Sequence, residues 1–85
     1  MNLIQHADSP RYIRLHERDN VVVVVNDQGV PAGTEFDNGL VTIDNVPQSH
    51  KVNTVDIPEG GAVIRYGQTI GYALQPIARG SWVKE

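Results

Sequence analysis

Eighty-five residues with no cysteine make one small domain whose stability rests on packing, and they exclude a disulfide framework, a thiolate zinc site and a cysteine nucleophile. A net charge of −3 with only 7 Lys+Arg argues against nucleic acid or an anionic membrane surface as partner, because both demand clustered cations. The longest apolar run, Val21 to Val25, is far shorter than the roughly 20 residues of a spanning helix, and the opening Met1-Asn2-Leu3-Ile4-Gln5-His6 carries no targeting pattern, so a soluble, cytoplasmic chain is expected.

Twelve Val and seven Ile against four Leu favour pleated strands over helices. Residues 1–10 read as a loose polar arm ending in Pro10, with His6 inert. Arg11 to His16 alternates as a first strand, and Glu17-Arg18-Asp19-Asn20 turns the chain into a central strand, Val21 to Val25, buried on both faces. Asn26 to Gly29 closes that strand, and Phe36-Asp37-Asn38-Gly39-Leu40 is a hairpin signal, since Asn-Gly accepts the positive φ of tight turns. Further strands are expected at Leu40 to Ile43, Lys51 to Ile57, Ala62 to Tyr66, Thr69 to Gln75 and Ser81 to Val83. No segment sustains a helical period, so any helix is a single turn near Val46 to Ser49. Val30-Pro31-Ala32-Gly33, Ile57-Pro58-Glu59-Gly60 and Ile77-Ala78-Arg79-Gly80 share the form aliphatic-x-x-Gly. They are either three ordinary turns or the repeated corner of a small convoluted barrel.

Three blocks in order, His16-Glu17-Arg18-Asp19-Asn20-Val21, Pro47-Gln48-Ser49-His50-Lys51 and Ile64-Arg65-Tyr66-Gly67-Gln68-Thr69-Ile70-Gly71-Tyr72-Ala73, resemble the N-terminal SAF (antifreeze-like) domains of the galactarate and altronate dehydratase (altronate hydrolase) family. The resemblance spans residues 11–83 and implies an all-β fold, a small β-clip (SAF-like) barrel of short strands occupying 11–85 with little or no helix. The family usually carries Gly-His-Lys where this chain has Ser49-His50-Lys51. It also implies a fragment or natural small subunit of a longer hydro-lyase, itself inactive alone, that dehydrates an aldarate or aldonate. Its partner would be the C-terminal catalytic region or large subunit, which would hold the divalent metal, Fe2+, with no cofactor in this chain.

Water elimination from a sugar acid needs a proton to leave the carbon beside a carboxylate, a stabilised enolate and a departing hydroxyl. His50 is the leading candidate, as acid/base or substrate contact, with Lys51 pinning a carboxylate; the plain alternative is an exposed His and a solvated Lys on a strand edge. His16 and Asp19 form a second cluster that either binds substrate hydroxyls in the same cleft as His50 or simply builds a turn. Arg65 could grip a carboxylate or lay its stem on apolar surface, and Trp82 could pack on the barrel or on a docking face. The separation of the two histidines matches no metal-ligand motif, so none is assigned. A different class, a non-enzymatic docking or carbohydrate- or ice-binding SAF module, is the alternative; ice binding suits poorly a chain with 20% charged residues.

Overall fold

Consecutive valines give a strand no polar face to show to water, so the segment from Val21 can be stable only if both its faces are covered. The computed structural model, which describes residues 9–84, meets that demand with a four-stranded antiparallel sheet in the order β1 (Tyr12–Ile13), β2 (Val21–Val24), β3 (Lys51–Asn53), β6 (Trp82–Val83). A separate hairpin pairs β4 (Ala62–Arg65) with β5 (Gln68–Tyr72). The described residues form an all-β domain without helix.

Register assigns the faces, since residues directly opposite share one. Val22, Val52 and Trp82 line up across β2, β3 and β6 and point one way; Val23, Lys51 and Val83 line up and point the other. The chain leaves β2 and returns at β3 by an excursion over 25–50, whose Val30, Phe36, Leu40 and Val46 pack on Val22, Val24 and Val52. It leaves β3 and returns at β6 by a second excursion over 54–81, whose Ile57, Val63 and Ala73 pack on Val21 and Val83. Each face of the sheet thus receives its own cover, and each fully buried valine contributes about 1.5–3 kcal/mol.

The two excursions are built alike. In each, two aliphatics exchange backbone hydrogen bonds at 2.8 Å in both directions, Val30 with Val46 and Ile57 with Ile77. Behind each aliphatic comes a turn with positive φ at its fourth residue: Gly33 (86°), Ser49 (73°), Gly60 (81°) and Gly80 (89°). Their amides donate to the carbonyls of Thr42, Val24, Ala73 and Asn53 at 2.7, 2.8, 2.7 and 3.0 Å. A side chain just ahead of one aliphatic caps the opposite turn, Asn45 Oδ1 accepting the Ala32 amide at 2.8 Å and Asp56 Oδ1 the Arg79 amide at 2.7 Å. The aliphatic-x-x-Gly corners are therefore four, and the fourth is Val46-Pro47-Gln48-Ser49.

That corner replaces the single helical turn expected at Val46 to Ser49. Val46 is bridged to Val30 and Ser49 has positive φ, and neither is compatible with a helix. The strand expected over Arg11 to His16 shortens to Tyr12–Ile13 because the chain bends at once, the Asp19 amide donating to the His16 carbonyl at 3.0 Å. Leu40 to Ile43 contributes one bridge, Val41 to Glu35, and β3 ends at Asn53 because the second excursion starts there. The expected hairpin at Phe36 to Leu40 forms, with the Gly39 amide on the Phe36 carbonyl at 2.9 Å. Residues 1–8 of the arm, His6 among them, lie outside the described residues; Ser9 and Arg11 are held by Asn26, which donates to the Ser9 carbonyl and accepts the Arg11 amide, both at 2.8 Å.

Ser49 occupies a conformation that penalises a Cβ, whereas a Cβ on Gly80 would in addition run into the Val41 carbonyl oxygen where the two excursions touch. Ser49→Gly is expected to raise stability by about 0.5–1 kcal/mol, or about 2–8 °C in melting temperature. Gly80→Ala is expected to remove more than about 3 kcal/mol. Thermal and urea unfolding check both, and a neutral or destabilising Ser49→Gly would show that the corner carries no strain.

Candidate functional site

Two clusters of the candidate residues emerge, at opposite ends of the β2–β3 ladder. The Thr54 amide donates to the Asn20 carbonyl at one end, and the Val24 amide to the His50 carbonyl at the other. Four residues of strand, roughly 13 Å at about 3.3 Å each, separate them. His16 and His50 are therefore not brought into one cleft.

The His16 cluster serves the β4–β5 turn. Tyr66 (φ 60°) and Gly67 (φ 74°) are the two central residues of a two-residue loop between Arg65 and Gln68, the geometry of a type I′ turn. The His16 ring lies against Gly67, whose Cβ, were there one, would sit 3.0–3.1 Å from three ring atoms. Asp19 reaches the same turn, Oδ1 accepting the Gly67 amide at 2.7 Å, while Oδ2 is buried without a hydrogen-bond partner among the described residues. His16 Nδ1 accepts the Arg18 amide at 3.0 Å. Burial pushes the Asp19 carboxyl up; the Gly67 amide, with the Tyr66 amide, the charge of His16 and the His16 amide beside it, pulls harder and leaves it below the ordinary carboxylate value. Beside it Asn20 mimics a strand, accepting the Ile64 amide at 2.8 Å and donating to the Ala62 carbonyl at 2.9 Å. Arg65 is half-buried at the end of β4. A Cβ at Gly71 would meet open space.

At the other end His50 is exposed and packs edge-on against Trp82, ring centroids 5.3 Å apart at 84°. The Trp82 indole N–H donates to His50 Nδ1 at 3.2 Å. Indole nitrogen can only donate, so Nδ1 is the acceptor and the ring proton is carried on Nε2, turned away from Trp82. Lys84 Nζ stands 4.6 Å from the Trp82 ring centre, a cation–π contact, and Asp44 Oδ2 accepts the Trp82 amide at 2.9 Å. Lys51 does not join His50: the strand's alternation turns it to the opposite face, between Val23 and Val83, where it is only 6% exposed. Trp82, Lys84 and Asp44 were not singled out as site residues by sequence; the pairing of β6 with β3 that delivers Trp82 and Lys84, and the contact that brings Asp44 to the Trp82 amide, have no local signal.

Among the described residues no three His, Cys, Asp or Glu side chains converge as metal ligands, and no helix is long and apolar enough to cross a membrane. A groove of about 770 Å³ opens beside the His50 cluster, walled by Ile70, Tyr72 and Leu74 on one side and Trp82 and Lys84 on the other.

An all-β domain of two linked excursions clipped to one short sheet is the architecture of a small SAF-like domain. The family model of the altronate/galactarate dehydratase SAF domain matches residues 10–85, and the chain belongs to that family. It is 51% identical over 81 residues to galactarate dehydratase (L-threo-forming) of Escherichia coli K12, covering 95% of this chain and 16% of that one. It is 42% identical over 71 residues to altronate dehydratase of the same organism (82% and 14% covered) and 29% over 75 residues to altronate dehydratase of Bacillus subtilis 168 (85% and 15%). The chain thus spans about a sixth of the curated relatives it matches.

Because Asp19 is held below its ordinary value, its contribution to stability is present above about pH 4 and is lost as the pH falls through the lowered folded value. Between pH 6 and pH 2.5 the wild-type chain is expected to lose more stability than Asp19→Asn, which keeps an acceptor for Gly67 but no titratable group. Urea unfolding across that range checks this; parallel pH profiles would sever Asp19 from acid sensitivity.

Proposed function

We propose that this chain is the N-terminal, substrate-side domain of a cytoplasmic sugar-acid dehydratase that converts galactarate to 5-dehydro-4-deoxy-glucarate and water, or dehydrates altronate. The observation that carries the reading is the 51% identity to a galactarate dehydratase across nearly the whole chain. The geometry supports it: one polar cluster stands exposed at the mouth of an open groove, where a second region could close over a bound substrate.

In this reading His50 is the substrate contact. Trp82 holds the ring through Nδ1 and so presents the Nε2–H outward as a donor to a hydroxyl or carboxylate at the distal end of the sugar acid. Lys84, beside Trp82, adds positive charge for a dianionic aldarate on a domain whose net charge is −3. Lys51, buried on the other face, supports the sheet rather than the substrate. The described residues do not fit a divalent-metal centre, so no step is assigned to one here. The Fe2+ expected of the family belongs, with the machinery that moves the proton, to the region the relatives carry beyond this domain.

The 85-residue chain alone is expected to be silent toward galactarate and altronate. In a full-length galactarate dehydratase carrying this domain, His50→Ala is expected to lower kcat/KM at least 10-fold, a loss of about 1.4 kcal/mol or more. Trp82→Phe, which keeps the ring but not the N–H, should give a smaller loss seen mainly in KM. Steady-state kinetics decide: turnover by the isolated chain, or unchanged kcat/KM for His50→Ala, contradicts the assignment.

A further inference from the structure

Ile70 and Tyr72 on β5, and Leu74 in the bend just after it, all line the groove. They are 39, 67 and 94% exposed. Leu74 in particular is an aliphatic side chain almost wholly in water, next to an aromatic in much the same state. The strand beneath them, Gln68-Thr69-Ile70-Gly71-Tyr72, carries no charge and no proline, and its one edge device is the β-bulge at Ile70, where its register with β4 shifts. Among the described residues β5 pairs only with β4, so its outer edge is open on one wall of the groove, while on the other wall the Trp82 amide of β6 is capped by Asp44 Oδ2. A contiguous apolar patch beside unpaired backbone is a surface that something covers.

Two observations say what. The relatives devote only about a sixth of their length to this domain, leaving a region some five times larger to be joined to it. And the groove is continuous with the candidate site: Trp82, which holds His50, is part of its wall, as is Lys84.

We propose that the β5 face formed by Ile70, Tyr72 and Leu74, with the groove between β5 and β6, is the docking surface for the dehydratase's own catalytic region. That region would present an apolar surface with an exposed strand edge able to extend the β4–β5 hairpin. This rests on the dehydratase reading above and adds the site of closure. Covering the groove brings the partner to Lys84 and to Trp82, on which His50 packs, so docking and completion of the active site are one event.

The test is hydroxyl-radical footprinting, read by mass spectrometry, of the 85-residue chain and of full-length galactarate dehydratase carrying it, with galactarate turnover measured in parallel. Ile70, Tyr72 and Leu74 are expected to oxidise at least 10-fold more slowly in the full-length protein, while Ile13, exposed on the far edge strand β1, keeps its rate. Leu74→Asp, at a position that packs against almost nothing, is expected to leave the isolated chain's melting temperature unchanged and to restore oxidation of Tyr72 in the full-length protein. Equal oxidation in an active full-length enzyme overturns the docking surface and leaves the dehydratase reading standing. Protection without turnover of galactarate or altronate supports the docking surface and overturns the substrate reading. Protection already present in the isolated chain and rising with its concentration identifies a second copy as the occupant and overturns the proposal.

Discussion

Everything in this domain follows from a strand that cannot face water on either side. Val22 and Val24 point one way and Val21 and Val23 the other, so a sheet built on β2 must be roofed twice. A chain this short has no helices to spend on the task. It uses two excursions of the same construction, each pinched by a reciprocal pair of aliphatics and each turned back by positive-φ corners. The excursions meet at Gly80, where only a missing Cβ lets the second lie against the Val41 carbonyl of the first. The hydrophobic requirement of one strand therefore sets the topology, and the topology sets which glycines are obligatory.

Polar side chains do the joining that short strands cannot. Asn20 bonds to β4 as another strand would, Asn26 ties down the segment before β1, and Asn53, fully buried, donates to the carbonyls of Val55 and Ala78 at 2.8 and 2.7 Å at the root of the second excursion. Asp19 does the same for the β4–β5 turn with a charge in place of an amide. Asp19, Asn26 and Asn53 are buried and Asn20 half-buried because each replaces a backbone partner, and at about 1–3 kcal/mol for an orphaned buried polar group they are costly to remove. For that reason the His16 and Asp19 cluster is explained by architecture, while the exposed His50 and Trp82 pair, which buries no comparable debt, is left free to meet a ligand.

The valine run, the Asn-Gly hairpin and the Gly corners are local signals, and each was legible because a residue type there admits few conformations. The fourth corner was hidden by one substitution: Ser49 adopts the backbone of a glycine without being one, so a search for aliphatic-x-x-Gly passes over it. The pairing of His50 with Lys51 failed on a different ground. Adjacent residues on a strand face opposite ways, and Lys51 went into the sheet's covered side. Trp82 was visible but without a role, because what gives it one is a contact across 32 residues between the edge strand β6 and the end of the first excursion. The resemblance identified the family from three blocks; it did not say which of their residues bear on a substrate and which on a turn.

The claim at the centre is that His50, oriented by Trp82, is this domain's contact with a sugar acid whose reaction is completed elsewhere in the enzyme. A structure of the full-length dehydratase with bound aldarate measures it directly. His50 Nε2 is expected within about 3.2 Å of a substrate oxygen, with the Trp82 indole still donating to Nδ1. A substrate bound with His50 turned to bulk solvent, or held instead by His16 and Asp19 at the opposite end of the ladder, would contradict it.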